Sequence, residues 1–108
     1  MFDRFEARRK GFRAALRQAS NRGSRLSLAE RRMAKQFSDD EDLVDLLVAL
    51  NESEIDEAYP SDVPAGAAAL GGGAFVDMMM NAMRFFVENL PAILDQITKI
   101  INIFSALG

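Results

Sequence analysis

Apolar and polar positions alternate along this chain at helical period almost throughout. Near the start, Phe2, Phe5, Phe12, Leu16 and Ala19 recur at heptad-like spacing, with Arg4, Arg8, Arg9, Lys10, Arg13 and Arg17 around them. That is the pattern of a basic amphipathic helix. Asn21-Arg22-Gly23-Ser24 ends it. Ser27, with Glu30 three residues on, forms a capping box and predicts a second helix to about Phe37. Ser38 with Glu41 repeats the signal, and Asp39, Asp40, Glu41 and Asp42 suit the positive end of a third helix. Its apolar face holds Leu43, Leu46, Leu47 and Leu50, joined by Val44 and Val48, and the pattern fades near Asn51. The acidic, proline-containing stretch from Glu52 to Pro64 reads as a linker. The run to Gly71-Gly72-Gly73 reads as a joint, because each Gly inside a helix costs about 1 kcal/mol against Ala.

The segment 75–107 carries a different pattern. Twenty-one of its 33 residues are apolar. The polar ones at Asp77, Asn81, Arg84, Glu88, Asp95, Lys99 and Asn102 fall at gaps of three, four or seven, which makes one narrow stripe on a long helix. The rest of the circumference includes Phe75, Val76, Met79, Met80, Met83, Phe86, Val87, Leu90, Ile93, Leu94, Ile97, Ile100, Ile101 and Phe104. Pro91 interrupts the backbone ladder, and Asn89 before it is placed to cap a new helix. The stripe keeps its phase across Pro91, which favours one kinked helix over two that meet near Asn89.

The expected fold class is therefore all-α: an elongated set of about four or five helices with a long apolar C-terminal helix. The expected organisation is a basic helical arm over 1–37, an acidic helix and linker over 38–62, a Gly/Ala-rich joint over 63–74 and an apolar packing helix over 75–108.

Charge sharpens that division. The net −3 is the sum of +8 over residues 1–37, −10 over 38–62 and −1 over 63–108. Asymmetry on this scale points to electrostatic partners, and the simplest is mutual: the basic block meets the acidic block of its own chain or of a neighbouring copy. The alternative contacts for Arg4, Arg8, Arg9, Lys10, Arg13 and Arg17 are phosphates of nucleic acid or an anionic membrane surface.

Composition excludes most site chemistry. With no Cys and no His there is no thiolate nucleophile, no imidazole base and no usual zinc set. The three glycines lack the Lys-Ser/Thr pair of a phosphate loop, and Asp39–Asp42 lack the alternation and turn Gly of a calcium loop. Leu43-Val44-Asp45-Leu46-Leu47 matches a short docking pattern, but such matches arise by chance in any amphipathic helix and a core face explains it better. Met78, Met79, Met80 and Met83 offer either core packing or an adaptable contact surface. No apolar run follows the first charges, so no cleavable secretory signal is expected.

The expected role is non-enzymatic: a structural or assembly subunit, in a virion or another large complex. It packs through its C-terminal helix and uses its charged segments to grip neighbours. Copies of itself or a larger assembly are the expected partners, with no cofactor and no small-molecule substrate. One alternative is a membrane-embedded oligomer. In the window Phe75–Leu94 eight Phe, Val, Leu and Ile residues contribute roughly −2.4 to −4.8 kcal/mol, whereas a central Arg84 costs about +3. A lone helix would insert poorly, while an oligomer that turns the stripe inward would insert better. The other alternative is a nucleic-acid-packaging protein that uses the basic arm.

Overall fold

A computed structural model describes residues 3–60 and 73–107. Within them the chain forms five helices and no strand: α1 (Arg4–Ala19), α2 (Leu28–Ser38), α3 (Glu41–Ala58), α4 (Gly73–Glu88) and α5 (Leu90–Leu107). They make an elongated bundle of 43 × 33 × 22 Å.

The helix starts follow local chemistry. Asp3 caps α1 by accepting the Glu6 amide at 3.1 Å. The capping box of α2 is complete: Ser27 N–H donates to Glu30 Oε1 at 3.0 Å, and Glu30 N–H donates to Ser27 Oγ at 3.2 Å. The cap of α3 lies two residues later than Ser38. Ser38 is instead the buried last residue of α2, where its hydroxyl donates to the Lys35 carbonyl at 2.7 Å. Asp40 takes the cap, accepting the amides of Asp42 and Leu43 at 3.1 and 3.3 Å.

Helix α3 also runs further than its hydrophobic pattern, and the stretch read as a linker from Glu52 is helical to Ala58. Two tertiary contacts hold these extra turns. Ile55 is buried in the core, and Glu52 and Asp56 face the guanidinium of Arg8. Of the joint read over 63–74, only Gly73 and Ala74 fall among the described residues, and both belong to α4.

The single kinked helix expected over 75–107 is in fact two. Asn89 closes α4 with its N–H and its side-chain amide, both donated to the Phe85 carbonyl at 3.0 and 2.9 Å. Its own carbonyl accepts from Ile93 N–H at 3.0 Å and opens α5. Pro91 drives the break: it lacks the N–H that would bond the Val87 carbonyl in a continuous helix. In the first turn of α5 that missing donor costs nothing.

The core gathers side chains from all five helices, with Phe12 and Leu16 of α1, Phe37 of α2, Val44, Leu47 and Val48 of α3, Phe86 of α4 and Ile97 of α5 among its members. Phe12 meets Phe86 edge-to-face, with centroids 5.5 Å apart and planes at 74°. The most extensive interface joins α1 to α4. Ala7, Gly11 and Ala15 form a buried small-residue row on α1 that admits α4 closely. A Cβ built on Gly11 would sit 2.4 Å from the Met79 carbonyl oxygen and 3.0 Å from Ala82 Cβ, so only Gly fits this crossing.

The bundle therefore covers part of the apolar circumference of segment 75–107. Met78, Ala82, Phe85 and Phe86 bury one face of α4, and Ile93, Ile97 and Ile100 bury one row of α5. Across α3 and α5, Asn51 donates to Gln96 Oε1 at 2.8 Å, and Gln96 returns a longer bond to Asn51 Oδ1 at 3.4 Å. Asn51 also donates to the Leu47 carbonyl at 2.8 Å, so this buried amide is satisfied from both sides.

Candidate interaction surfaces

The first surface to build is the one the charges make. Arg8 pairs with Asp56 and, at 3.9 Å, with Glu52. Arg9 donates from Nε to Asp45 Oδ1 at 2.6 Å, from a terminal nitrogen to Asp45 Oδ2 at 3.4 Å, and to Glu6 at 2.5 Å. Arg13 lies 3.7 Å from Glu41. Rising numbers on α1 meet falling numbers on α3, so the two helices run antiparallel with a seam of ion pairs between them.

Burial differs sharply along this seam. The Arg8 side chain is only 6% exposed, while Asp56 is 55% exposed, so the cation is buried and its anion stays wet. Burial disfavours the charge on Arg9, but Asp45, Glu6 and Glu41 outweigh it and its pKa moves up. Its guanidinium also lies 5.3 Å from the centre of the Phe5 ring.

The six residues read as phosphate or membrane contacts thus divide. Arg8, Arg9 and Arg13 face carboxylates of their own chain. Lys10 lies 5.4 Å from the Phe75 ring centre. Arg4 and Arg17 are exposed and form no ion pair among the described residues. The same is true of Arg22, Arg25, Arg32 and Lys35, which follow around the α1–α2 turn and along α2, while Arg31 is half-buried and likewise forms no ion pair among the described residues.

The polar stripe faces outward. Asp77, Arg84, Glu88, Asp95, Lys99 and Asn102 are exposed and Asn81 is half-buried. Asp95 and Lys99 pair at 2.9 Å, as their spacing of four suggests. Arg84 and Glu88 do not. Tyr59, just past the end of α3, takes both: its hydroxyl donates to Glu88 at 3.0 Å, and Arg84 sits 5.9 Å from its ring centre. Partial burial, then this bond to Glu88, pushes the Tyr59 phenol pKa up. Nothing in the sequence around Tyr59 signals this role, because it falls inside the acidic, proline-containing stretch.

The fourteen apolar packing residues divide as well. Phe86, Ile93, Ile97 and Ile100 are spent inside the bundle. Phe75, Met79, Met83, Leu90, Leu94 and Ile101 are half-buried, and Val76, Met80, Val87 and Phe104 remain exposed. Phe104 is joined in the last turns of α5 by Ile103 and Leu107, the last of these 80% exposed. By length and composition α5 also suffices to cross a membrane, with mean hydropathy 1.3 over Leu90–Leu107 and 17% of that window buried.

Among the described residues, two concavities add to this surface. An open one of about 430 Å³ lies between the α2–α3 corner and the end of α5, lined by Asp40, Asp42, Leu43 and Phe104. A smaller, mainly apolar groove of about 220 Å³ lies between the end of α1, the α1–α2 turn and the α4–α5 junction, with Arg25 on its wall. Among the described residues no group of acidic side chains is placed to hold a metal ion.

Comparison of the chain with protein-family models, with curated proteins and with solved structures finds no match.

Proposed function

We propose that this protein is a non-enzymatic assembly subunit that joins a larger complex through the uncovered apolar face of α4 and α5. One observation carries the reading: Ile103, Phe104 and Leu107 stand together, exposed, at the end of α5 while the core is already complete without them. Single exposed apolar residues are ordinary on any soluble protein, but an adjacent set on one helix end marks a contact surface. The in-chain seam supports the same reading. With Arg8, Arg9 and Arg13 engaged, the charged segments stiffen the subunit, and its apolar end is left to meet neighbours.

Sedimentation of the full chain in buffer without detergent tests this. The wild type is expected to associate with rising concentration, and Phe104→Asp with Leu107→Asp to weaken that association while leaving the helical circular dichroism intact. A wild type that stays monomeric at all concentrations overturns the reading.

A second reading has its own observation. Helix α5 combines membrane-spanning length and hydropathy with little burial, which supports membrane association. Its cost is the core row Ile93, Ile97 and Ile100 and the bond from Asn51 to Gln96, all of which would have to be given up for full insertion. Flotation with lipid vesicles decides between the two: the assembly subunit stays at the bottom of the gradient, the membrane protein rises.

A further inference from the structure

Closing the α1–α3 seam leaves two local patches of unpaired charge, cations past the end of α1 and carboxylates on the last turns of α3, although Asp39–Asp42 stand near the first patch and Arg4 near the second. The antiparallel pairing puts Arg13 beside Glu41 at one end and Arg8 beside Asp56 at the other. Beyond the first end lie Arg17, Arg22, Arg25 and Arg32, none with a carboxylate partner among the described residues. Toward the second end α3 carries Glu54 and Glu57, exposed and likewise without a cationic partner. At a rise of 1.5 Å per residue, Glu54 and Glu57 stand about 20 Å along the helix from Glu41.

Each end also holds the complementary apolar feature. Beside the cationic patch is the 220 Å³ groove, lined by Ala15, Ala19, Leu26, Phe86, Val87 and Leu90, with Arg25 on its wall. That volume lies below the usual range of small-molecule pockets, about 300–1,000 Å³, and suits one or two side chains instead. On the outer face of α3, Leu46 and Leu50 are exposed in line with Glu54 and Glu57, since the spacing 46, 50, 54, 57 follows one helical face. No α3 residue lines the groove, so a chain cannot satisfy its own groove with this face.

We infer that the groove of one copy receives the outer face of α3 of a second copy, with Leu46 and Leu50 in the groove and Glu54 and Glu57 against Arg22 and Arg25. The contact joins two different patches, so it is head-to-tail and propagates into a ring or a filament. It rests on the assembly reading and names a second contact, separate from the α5 end. Because charge pairs form its rim, association weakens as salt rises.

Two full-length variants test it by sedimentation. Leu50→Glu spoils the helix face and leaves the groove intact; Arg22→Glu with Arg25→Glu spoils the groove rim and leaves the helix face intact. Each alone is expected to associate at least ~10-fold more weakly than wild type, the size of one lost central contact. With Phe104→Asp and Leu107→Asp added to both, which removes the α5 contact, the two mixed one to one form a dimer that grows no further, because each supplies the patch the other lacks. Glu54→Lys with Glu57→Lys is a second helix-face variant, and all three are checked for wild-type helicity. A mixture that stays monomeric, or either variant associating as tightly as wild type, overturns the inference. If only the Phe104 and Leu107 changes dissociate the wild type, the assembly reading stands and this contact falls. A wild type that is monomeric and floats with vesicles sinks both.

Discussion

Helix α1 is crowded with arginines, yet it buries Ala7, Arg8, Gly11, Phe12, Ala15 and Leu16 over 16 residues. Helix α5 is the most apolar, yet it buries only Ile93, Ile97 and Ile100 over 18. Mean hydropathy would rank the two the other way. Two things the average ignores decide it. The small row on α1 lets the α4 backbone come close, so flanking groups are covered at short range. The cations on α1 find carboxylates on α3, so burying Arg8 leaves no charge unanswered. On α5 only one row reaches the core, and its last turns face the α2–α3 corner across an open concavity. Burial follows shape and pairing as much as oiliness.

The comparison breaks if matched changes in the two helices cost the same. Phe12→Ala removes a fully buried ring and is expected to cost about 3–5 kcal/mol in a denaturant titration, whereas Phe104→Ala, at a half-exposed site, stays within about 0.5 kcal/mol. Gly11→Ala is sharper in sign. Helix propensity alone would favour Ala by about 1 kcal/mol, but the Met79 carbonyl blocks its Cβ, and a net loss of about 1–3 kcal/mol is expected. A net gain would mean that α1 and α4 do not cross so closely.

The seam is probed by Glu52→Gln with Asp56→Asn, which leaves the buried Arg8 without an anion. The expected loss is about 1–2 kcal/mol, below the figure for a fully buried pair because both carboxylates are partly wet. The smallest effect is a pH dependence at the start of α2. The backbone N–H of Ser27, then its side chain, hold the Glu30 carboxyl below its ordinary range. A depressed folded-state pKa gives stability that is present at neutral pH and lost as pH falls through that value. The difference in Tm between wild type and Glu30→Gln is therefore expected to close on acidification below the ordinary Glu range. A gap that widens instead would contradict the bond.

What the sequence made legible was local. The end of α1 near Asn21, the Ser27–Glu30 box and the stripe spacing all depend on residues within a turn of each other, and propensity acts at that range. The Asn51 to Gln96 bond links residues 45 apart, so nothing near Asn51 marks it as anything but a helix end. Likewise Glu52 and Asp56 look like linker residues until Arg8 stands beside them. The pairing of +8 with −10 was readable as charge, and its antiparallel register was not, because register depends on which faces the core has already claimed. Among the candidate contacts, Tyr59 between Arg84 and Glu88 was hidden for the same reason.

The joining of α1 to α4 has a consequence for the order in which the molecule is made. During synthesis the Gly11 row emerges long before residues 73–88 that cover it, and Phe12 waits for Phe86 across more than seventy positions. Closing so long a loop is entropically slow, and it sets the pace of a protein whose individual helices form fast. Until α4 arrives, α1 has only α2 and α3 to pack on, through Phe37, Val44 and Leu47 and the ion-pair seam.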